Sequence, residues 1–387
     1  MTPSTPERPL RILIAGGGTG GHLFPGLALA HELTAQGAHV TFVGTDRGIE
    51  KKAVPQAGYP LELIDIAGLS RQGFWLTLKN VAKLPLAFVQ TLCLLRRLSP
   101  DAVVGVGGYA SGPVVLLAAL FRIPTVILEQ NSIPGVTNRI LSRFAKKVFT
   151  AFPRAASFFP AHKVACIGNP IRASIVEAAK SKTFSDHKPL HLLVLGGSLG
   201  AKAVNALLVS ALAELPRLYP ALAPLSDHLR VLHQTGQTDC SATLARYAEH
   251  PELAPLVQVE PFLEDMAAAY LQADLVVGRA GATTLAELAV LGLPALLVPF
   301  PYAADDHQTH NAQHFADKGA ALLLPQDRTT PKQLADHLAA LLANPKQRQT
   351  MSQAAKTLAT PTAPKDLTHF ITQSLTKRHQ PNQSPTR

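Results

Sequence analysis

Residues 13–22 read Leu-Ile-Ala-Gly-Gly-Gly-Thr-Gly-Gly-His: an apolar run, five glycines broken by one threonine, and a histidine. Glycines let a backbone approach a ligand closely, and the amides that open a following helix point at any anion that arrives. Three further stretches share the pattern. They are Gly196-Gly197-Ser198 with Gly200, Gly107-Gly108-Tyr109 with Ser111, and Gly281 leading into Ala282, Thr283 and Thr284, whose hydroxyls are candidate helix caps. One such loop could be no more than tight strand–helix packing. Four in one chain favour phosphate binding. Gly16, Gly18 and Gly21 also match the dinucleotide fingerprint, but no acid closes the second strand, since Asp46 lies in the loop beyond it. A nicotinamide cofactor is therefore disfavoured.

His22 is either a packing residue or a general base beside the loop. Glu287 is either a surface acid favoured by a helix dipole or the acceptor of two ribose hydroxyl protons. The chain carries no Asp-x-Asp pair for a sugar-nucleotide magnesium ion, and no HExxH, GxSxG or P-loop lysine. The run Ala304–Asn311 clusters acids and histidines, but its adjacent acids point apart, so no metal is expected.

The elements that position these residues alternate between strand and helix, which predicts parallel sheets with helical crossovers, an α/β fold. Strands are expected at Arg11–Gly16, His39–Gly44, 102–108, 125–131, 147–152 and 164–170. After the polar segment 177–189, read as a linker, the pattern restarts at Leu190 with strand, glycine loop and helix. The predicted organisation is a disordered lead 1–9, a first domain 10–176, the linker, a second domain 190–375 and a disordered tail 376–387. The lead lacks the basic start and apolar core of a signal peptide. Residues 102–121 are uncharged over a membrane's thickness, but a Gly-Gly-Tyr-Ala-Ser-Gly-Pro break divides them into a strand and a short helix. Three scattered cysteines, Cys93, Cys166 and Cys240, argue against a disulfide framework. Residues 1–172 hold 18 basic and 8 acidic side chains and the remainder 18 of each, so the whole net charge of +10 sits in the first half. Such a half suits an anionic partner. No RNP aromatics, zinc spacing or Lys/Arg run supports nucleic acid.

Taken together, "GGGTGGHLFPGLALA", "VGVGGYASGP", "LEQNSIPGVTNR", "GNPIR", "LGGSLGA", "FLEDMAAAY", "RAGATTLAELAVLGLPALLVPFP" and "ADDHQTHNA" resemble the MurG family, bacterial transferases that add N-acetylglucosamine to lipid I to make lipid II. The resemblance spans residues 16–312. It implies the GT-B architecture, two Rossmann-like parallel-sheet domains facing across a cleft. UDP-GlcNAc is then expected on the second domain and the lipid-linked acceptor on the first. For the donor it implies Thr19, Gly20 and Gly21 near the sugar and diphosphate, Asn131 on the sugar, and Arg172 and Ser198 toward the nucleotide and phosphates. It further implies Leu263 on uracil, the helix start Ala282, Thr283, Thr284, Leu285, Ala286 and Glu287 under the diphosphate and ribose, and Gln308 on the GlcNAc hydroxyls. His22 is the implied base, and Gly18 and Tyr109 line the acceptor side. Leu199 stands where the family often has Gln, so any side-chain contact from that position is lost. No cofactor and no metal are implied.

The implied reaction inverts an α-linked donor to a β(1→4) product in one displacement, with one base. Glycine-loop amides, the 282–287 helix and Arg172 would stabilise the leaving UDP. The resemblance also implies peripheral attachment to the cytoplasmic face of the bacterial inner membrane, with cell-wall synthesis proteins as further partners. Residues 73–97, mixing Phe74, Trp75, Leu76 and Leu78 with Lys79, Lys83, Arg96 and Arg97, are the expected anionic-membrane contact. The alternative is another GT-B enzyme, such as a glycolipid glycosyltransferase or a UDP-GlcNAc 2-epimerase.

Overall fold

The computed structural model describes residues 8–66, 84–197 and 200–379. Two compact units divide the chain. Residues 1–172 and 362–387 make the first and residues 173–361 the second.

In the first unit, strands β1 (Arg11–Gly16), β2 (His39–Gly44), β3 (Leu61–Leu63), β4 (Ala102–Gly107), β5 (Thr125–Glu129), β6 (Lys147–Thr150) and β7 (Val164–Cys166) form a parallel sheet in the order β3-β2-β1-β4-β5-β6-β7. Every residue from Ile12 to Gly16 is buried, because both faces are covered. Ile12 and Ile14 join one core, and Leu13 and Ala15 join the other. The crossovers are α1 (Gly20–Ala35), α2 (Glu50–Gln56), α3 (Leu84–Leu98), α4 (Ser111–Leu120), α5 (Val136–Leu141) and α6 (Pro153–Ala156). The uncharged run 102–121 is indeed strand then helix, β4 and α4. Among the described residues no helix is long and apolar enough to cross a membrane.

The second unit carries β8 (Leu190–Leu195), β9 (Leu229–Gln234), β10 (Val257–Glu260), β11 (Leu275–Gly278), β12 (Ala295–Leu297) and β13 (Ala321–Leu323), parallel and ordered β10-β9-β8-β11-β12-β13. Its helices are α7 (Ala173–Ser181), α8 (Lys202–Leu218), α9 (Cys240–Ala248), α10 (Met266–Gln272), α11 (Ala282–Leu291), α12 (His307–Asp317), α13 (Pro331–Ala343) and α14 (Pro345–Thr357). In both sheets the strand order reverses beside the first strand: between β1 and β4, and between β8 and β11. Such a switch point opens a crevice at the carboxyl ends of the strands.

Two boundaries differ from the expected ones. The segment expected as linker begins inside α7, which packs on α10 and α11 of the second unit, so the division falls at Arg172/Ala173. The last helix, α15 (Ala363–His379), belongs to the first unit rather than to the second domain or a tail. Its Leu367, Ile371 and Leu375, spaced four apart, are buried in the core that holds α1 and β1. Phe370 adds an edge-on contact with Phe149 at 5.2 Å.

Candidate functional site

The first unit gathers its candidates on three loops at the carboxyl edge of the sheet. β1 runs into residues 17–19, β4 into Gly108–Ala110, and β5 into Gln130–Asn131. The first two loops pack backbone on backbone. The Gly17 amide donates to the Gly107 carbonyl at 3.3 Å. A Cβ on Gly108, which sits at φ +79°, would lie 2.5 Å from the Gly17 oxygen. Glycine is required there by this approach.

Glu50, which the sequence reading passed over, is buried beneath the first loop. Its carboxylate accepts the Gly18 amide at 2.7 Å and the Thr45 amide and hydroxyl at 3.0 Å. A Cβ on Gly17 or Gly48 would collide with that carboxylate. The first loop therefore already holds an anion, one of the protein's own, and the Gly18 amide is directed at it. The only hint in the sequence is an acid standing near small residues, Gly44 and Gly48.

Thr19 caps α1 in extended conformation without a side-chain bond, and Thr19 and Gly21 are exposed while Gly20 is buried. His22, half-buried in the first turn, places Nδ1 3.1 Å from Oε1 of Gln130. Gln130 is buried and donates Nε2 to the Val106 carbonyl at 2.9 Å. The neighbouring Glu129 turns away, accepting the amides of Asn131 (3.0 Å) and Gly135 (3.3 Å) and the Asn138 side chain (2.8 Å). Burial raises its pKa, and these hydrogen bonds with the nearby His22 oppose the rise. Asn131 is half-buried and Tyr109 largely exposed at the same edge. Arg172 stacks its guanidinium on the Phe24 ring of α1, 5.2 Å from the centroid.

In the second unit the loop after β8 rests on the end of β9. The Gly196 amide donates to the Gln234 carbonyl, and Gln234 Nε2 donates to the Gly197 carbonyl, each at 3.1 Å. A Cβ on Gly200 would sit 2.5 Å from the Thr235 oxygen. A buried network braces that shelf. Asn205 donates to Thr235 (3.0 Å) and Asp239 (2.8 Å), and its oxygen meets His233 Nε2 at 3.0 Å, while His233 Nδ1 meets the Tyr247 hydroxyl at 2.9 Å. Burial lowers the His233 pKa to about 4, so it is neutral at ordinary pH. Ser198 and Leu199 lie outside the described residues.

Helix α11 begins after Gly281, with no side-chain cap bond, rather than being capped by Thr283 or Thr284 as expected. Gly281 brings no side chain to the first amides of the helix, and the ten-residue helix adds its dipole. Leu285 and Ala286 follow in the same turns. Glu287 is buried rather than a surface acid, and its Oε2 accepts the Tyr270 hydroxyl at 3.0 Å. Arg279, also passed over in the sequence, lies two residues before Gly281. It donates to the carbonyls of Val298 (3.0 Å) and Pro299 (2.9 Å) and to Gln326 (2.7 Å). Burial lowers its pKa to about 10, which leaves it charged at neutral pH. Leu263 is half-buried after the exposed Phe262. Gln308, in the first turn of α12, accepts the Phe300 amide at 3.0 Å through its oxygen, which fixes the direction of its NH2 group. In the acid–histidine run, Asp306 accepts the Thr309 hydroxyl (2.7 Å) and His307 meets the Ala304 carbonyl (2.8 Å), so both serve the turn.

With the geometry in place, comparisons identify the neighbourhood. Residues 12–150 match the glycosyltransferase family 28 N-terminal domain and residues 191–367 the family's C-terminal domain. A protein of Myxococcus xanthus is 45% identical over 375 residues, covering 96% of this chain and 95% of its own. One of Syntrophotalea carbinolica is 48% identical over 353 residues, covering 90% and 94%. Both are named UDP-N-acetylglucosamine--N-acetylmuramyl-(pentapeptide) pyrophosphoryl-undecaprenol N-acetylglucosamine transferase. The crystal structure of Acinetobacter baumannii MurG superposes with a TM-score of 0.74 at 38% identity, over 94% of this chain and 100% of that one. A Listeria monocytogenes protein assigned as a UDP-N-acetylglucosamine 2-epimerase reaches a TM-score of 0.66 at 14% identity over 95% and 97%, which shows the fold alone.

Proposed function

The chain belongs to glycosyltransferase family 28, and from that premise we propose that it moves N-acetylglucosamine from UDP-GlcNAc to the muramyl C4 hydroxyl of lipid I, making lipid II and UDP. Relatives named for this transfer match nearly the whole chain at 45% identity, whereas the likeness to an epimerase extends to fold only. The fold is GT-B, two parallel-sheet Rossmann-like units.

One contrast carries the mechanistic reading: the first unit's glycine loop is filled by Glu50, while the second unit's helix α11 starts after Gly281 with no side-chain cap. The diphosphate is then held by the second unit, on the α11 amides and the loop after β8, with the fixed charge of Arg279 behind them. Glu287 takes the ribose hydroxyls, the Leu263 backbone takes uracil, Gln308 and Asn131 are assigned to the sugar, and Arg172 and Ser198 to the phosphates. Of the first unit, Thr19, Gly20 and Gly21 are assigned to the transferred sugar and its diphosphate, and Gly18 and Tyr109 to the acceptor. The C4 oxygen attacks C1 of the sugar as the C1–O bond to UDP breaks. His22 takes the hydroxyl proton and UDP leaves with the electron pair. Neither a metal nor a cofactor enters.

Membrane attachment has its own support in the first unit. Leu120, Phe121, Ile140 and Phe144 are exposed, among the basic residues Arg122, Arg143 and Lys146. Clustered apolar and basic side chains suit an anionic lipid surface on the cytoplasmic side. Of the stretch 73–97, residues 73–83 lie outside the described residues, and the rest lies in α3, where Leu86 and Val89 are exposed. Co-sedimentation with anionic but not neutral vesicles is expected, and equal recovery from both would remove this part.

The reaction is tested by UDP release from UDP-GlcNAc with and without a short-chain lipid I analogue. Release that requires the acceptor, and falls away with UDP-GalNAc, supports the transfer. Acceptor-independent consumption of the donor would overturn it in favour of the epimerase.

A further inference from the structure

The hydrogen bonds around Gln130 decide which nitrogen of His22 is free. The Val106 carbonyl can only accept, so the Gln130 atom facing it at 2.9 Å must be the NH2 group. Turning the amide over would set oxygen against oxygen in a buried place, leaving both without a donor. The amide oxygen is thereby directed at His22 Nδ1, 3.1 Å away, and an oxygen acceptor there requires Nδ1 to carry the proton. Nε2 is left with its lone pair, and among the described residues nothing bonds it. The ring is held from a second side by the β4 turn. Gly107 sits at φ +93°, and a Cβ there would come within 2.8 Å of Nδ1.

We propose that Gln130 is the positioning residue of the transfer, presenting His22 as the neutral Nδ1–H tautomer with Nε2 available to the acceptor hydroxyl. This rests on the reading of His22 as the base. The choice of an amide over a carboxylate has a consequence. A carboxylate on Nδ1 would stabilise the imidazolium and hold the base protonated to higher pH. The amide orients the ring without that penalty. Ionisable groups near the ring are few. At the end of β5 stands Glu129, which acts on His22 through space but whose carboxylate is bonded to Asn131, Gly135 and Asn138 rather than to Nδ1. From α2 comes Glu50, bound to the Gly18 amide, and from the β4 loop Tyr109, which is largely exposed.

Two variants and one spectrum test this in the full-length enzyme. Gln130→Glu keeps the shape and supplies the charge. Its kcat/KM profile is expected to lose activity on the acid side at a pH about 1–2 units higher than wild type. Gln130→Leu keeps the bulk and removes the lock. It is expected to lower kcat roughly 100-fold with the KM for UDP-GlcNAc unchanged. In 15N-histidine-labelled protein at pH 8, His22 should show a protonated Nδ1 and a bare Nε2, a result that needs no variant to fold. A bare Nδ1, a superposable Gln130→Glu profile, or wild-type kcat in Gln130→Leu would each overturn the proposal. The base reading fails separately, on a His22→Ala variant that keeps turnover. If His22→Ala is inactive while both Gln130 variants match wild type, only the present inference falls.

Discussion

The loop after β1 and the start of α11 are both glycine-marked turns at a switch point, and they are chemically opposite. At the first, the Gly18 amide is satisfied at 2.7 Å by the buried carboxylate of Glu50. At the second, Gly281 brings no side chain to the helix amides. A glycine pattern therefore reports where the backbone can be approached, while the neighbouring side chains decide whether an anion from outside is wanted. The unit with the excess of basic residues is the one whose loop is internally neutralised. Its positive charge is spread over many other side chains, of which Arg122, Arg143 and Lys146 are exposed.

The comparison can be broken at either end. The largest effect is expected from His22→Ala, about 1,000-fold in kcat with UDP affinity intact, measured by steady-state turnover and calorimetric UDP titration. Comparable loss of UDP affinity would mean that the first unit's loop also holds the nucleotide. Next, Gly281→Asp makes the second site resemble the first. Gly281 has φ −66° and a Cβ there would find no atom closer than 3.8 Å, so the side chain is accommodated. The new carboxylate should cap α11, stabilise the fold by roughly 1 kcal/mol, and raise the donor KM on the order of 100-fold by occupying the anion's amides. An unchanged donor KM would show that the diphosphate sits elsewhere. Third, Glu50→Gln makes the first site resemble the second by replacing the anion with a neutral amide. About 10-fold in kcat and a destabilisation of roughly 1–3 kcal/mol are expected, and thermal unfolding with acceptor kinetics reads both. Tighter UDP binding by this variant would reveal a hidden phosphate site.

The smallest effect at neutral pH, and a growing one below it, belongs to His233 under the second loop. Its folded pKa of about 4 lies below the ordinary 6.5. Between those values the unfolded chain binds more protons, so stability is complete above pH 6.5 and declines as pH falls toward 4. The loss reaches on the order of 3 kcal/mol. His233→Gln should flatten this acid slope in denaturant titrations from pH 7 to 4. An unaltered slope would assign the acid sensitivity to other groups.

Strand order of appearance, both glycine loops and His22 were legible because each is a local pattern: an apolar run, a turn composition, a residue at a helix start. Glu50 and Gln130 were not. They act 32 and 108 positions away from the groups they hold, and nothing local distinguishes them from a surface acid and a strand-end amide. The absence of a threonine cap on α11 depended on where the helix began, by two residues. The stripe Leu367, Ile371 and Leu375 could be read as a helix, but its destination could not, because periodicity gives a face and not a partner.

That destination matters during synthesis. The first unit is interrupted by residues 173–361 and finished by α15. At translation speeds of about 5–20 residues per second, the apolar ground that Leu367 and Ile371 later cover stays bare for roughly 10–40 s after residue 172 leaves the ribosome. The second unit folds meanwhile as an insert, and a chain cut short anywhere in it carries an unfinished first half. Limited proteolysis of stalled nascent chains is expected to find the first unit more labile before α15 has emerged than after it.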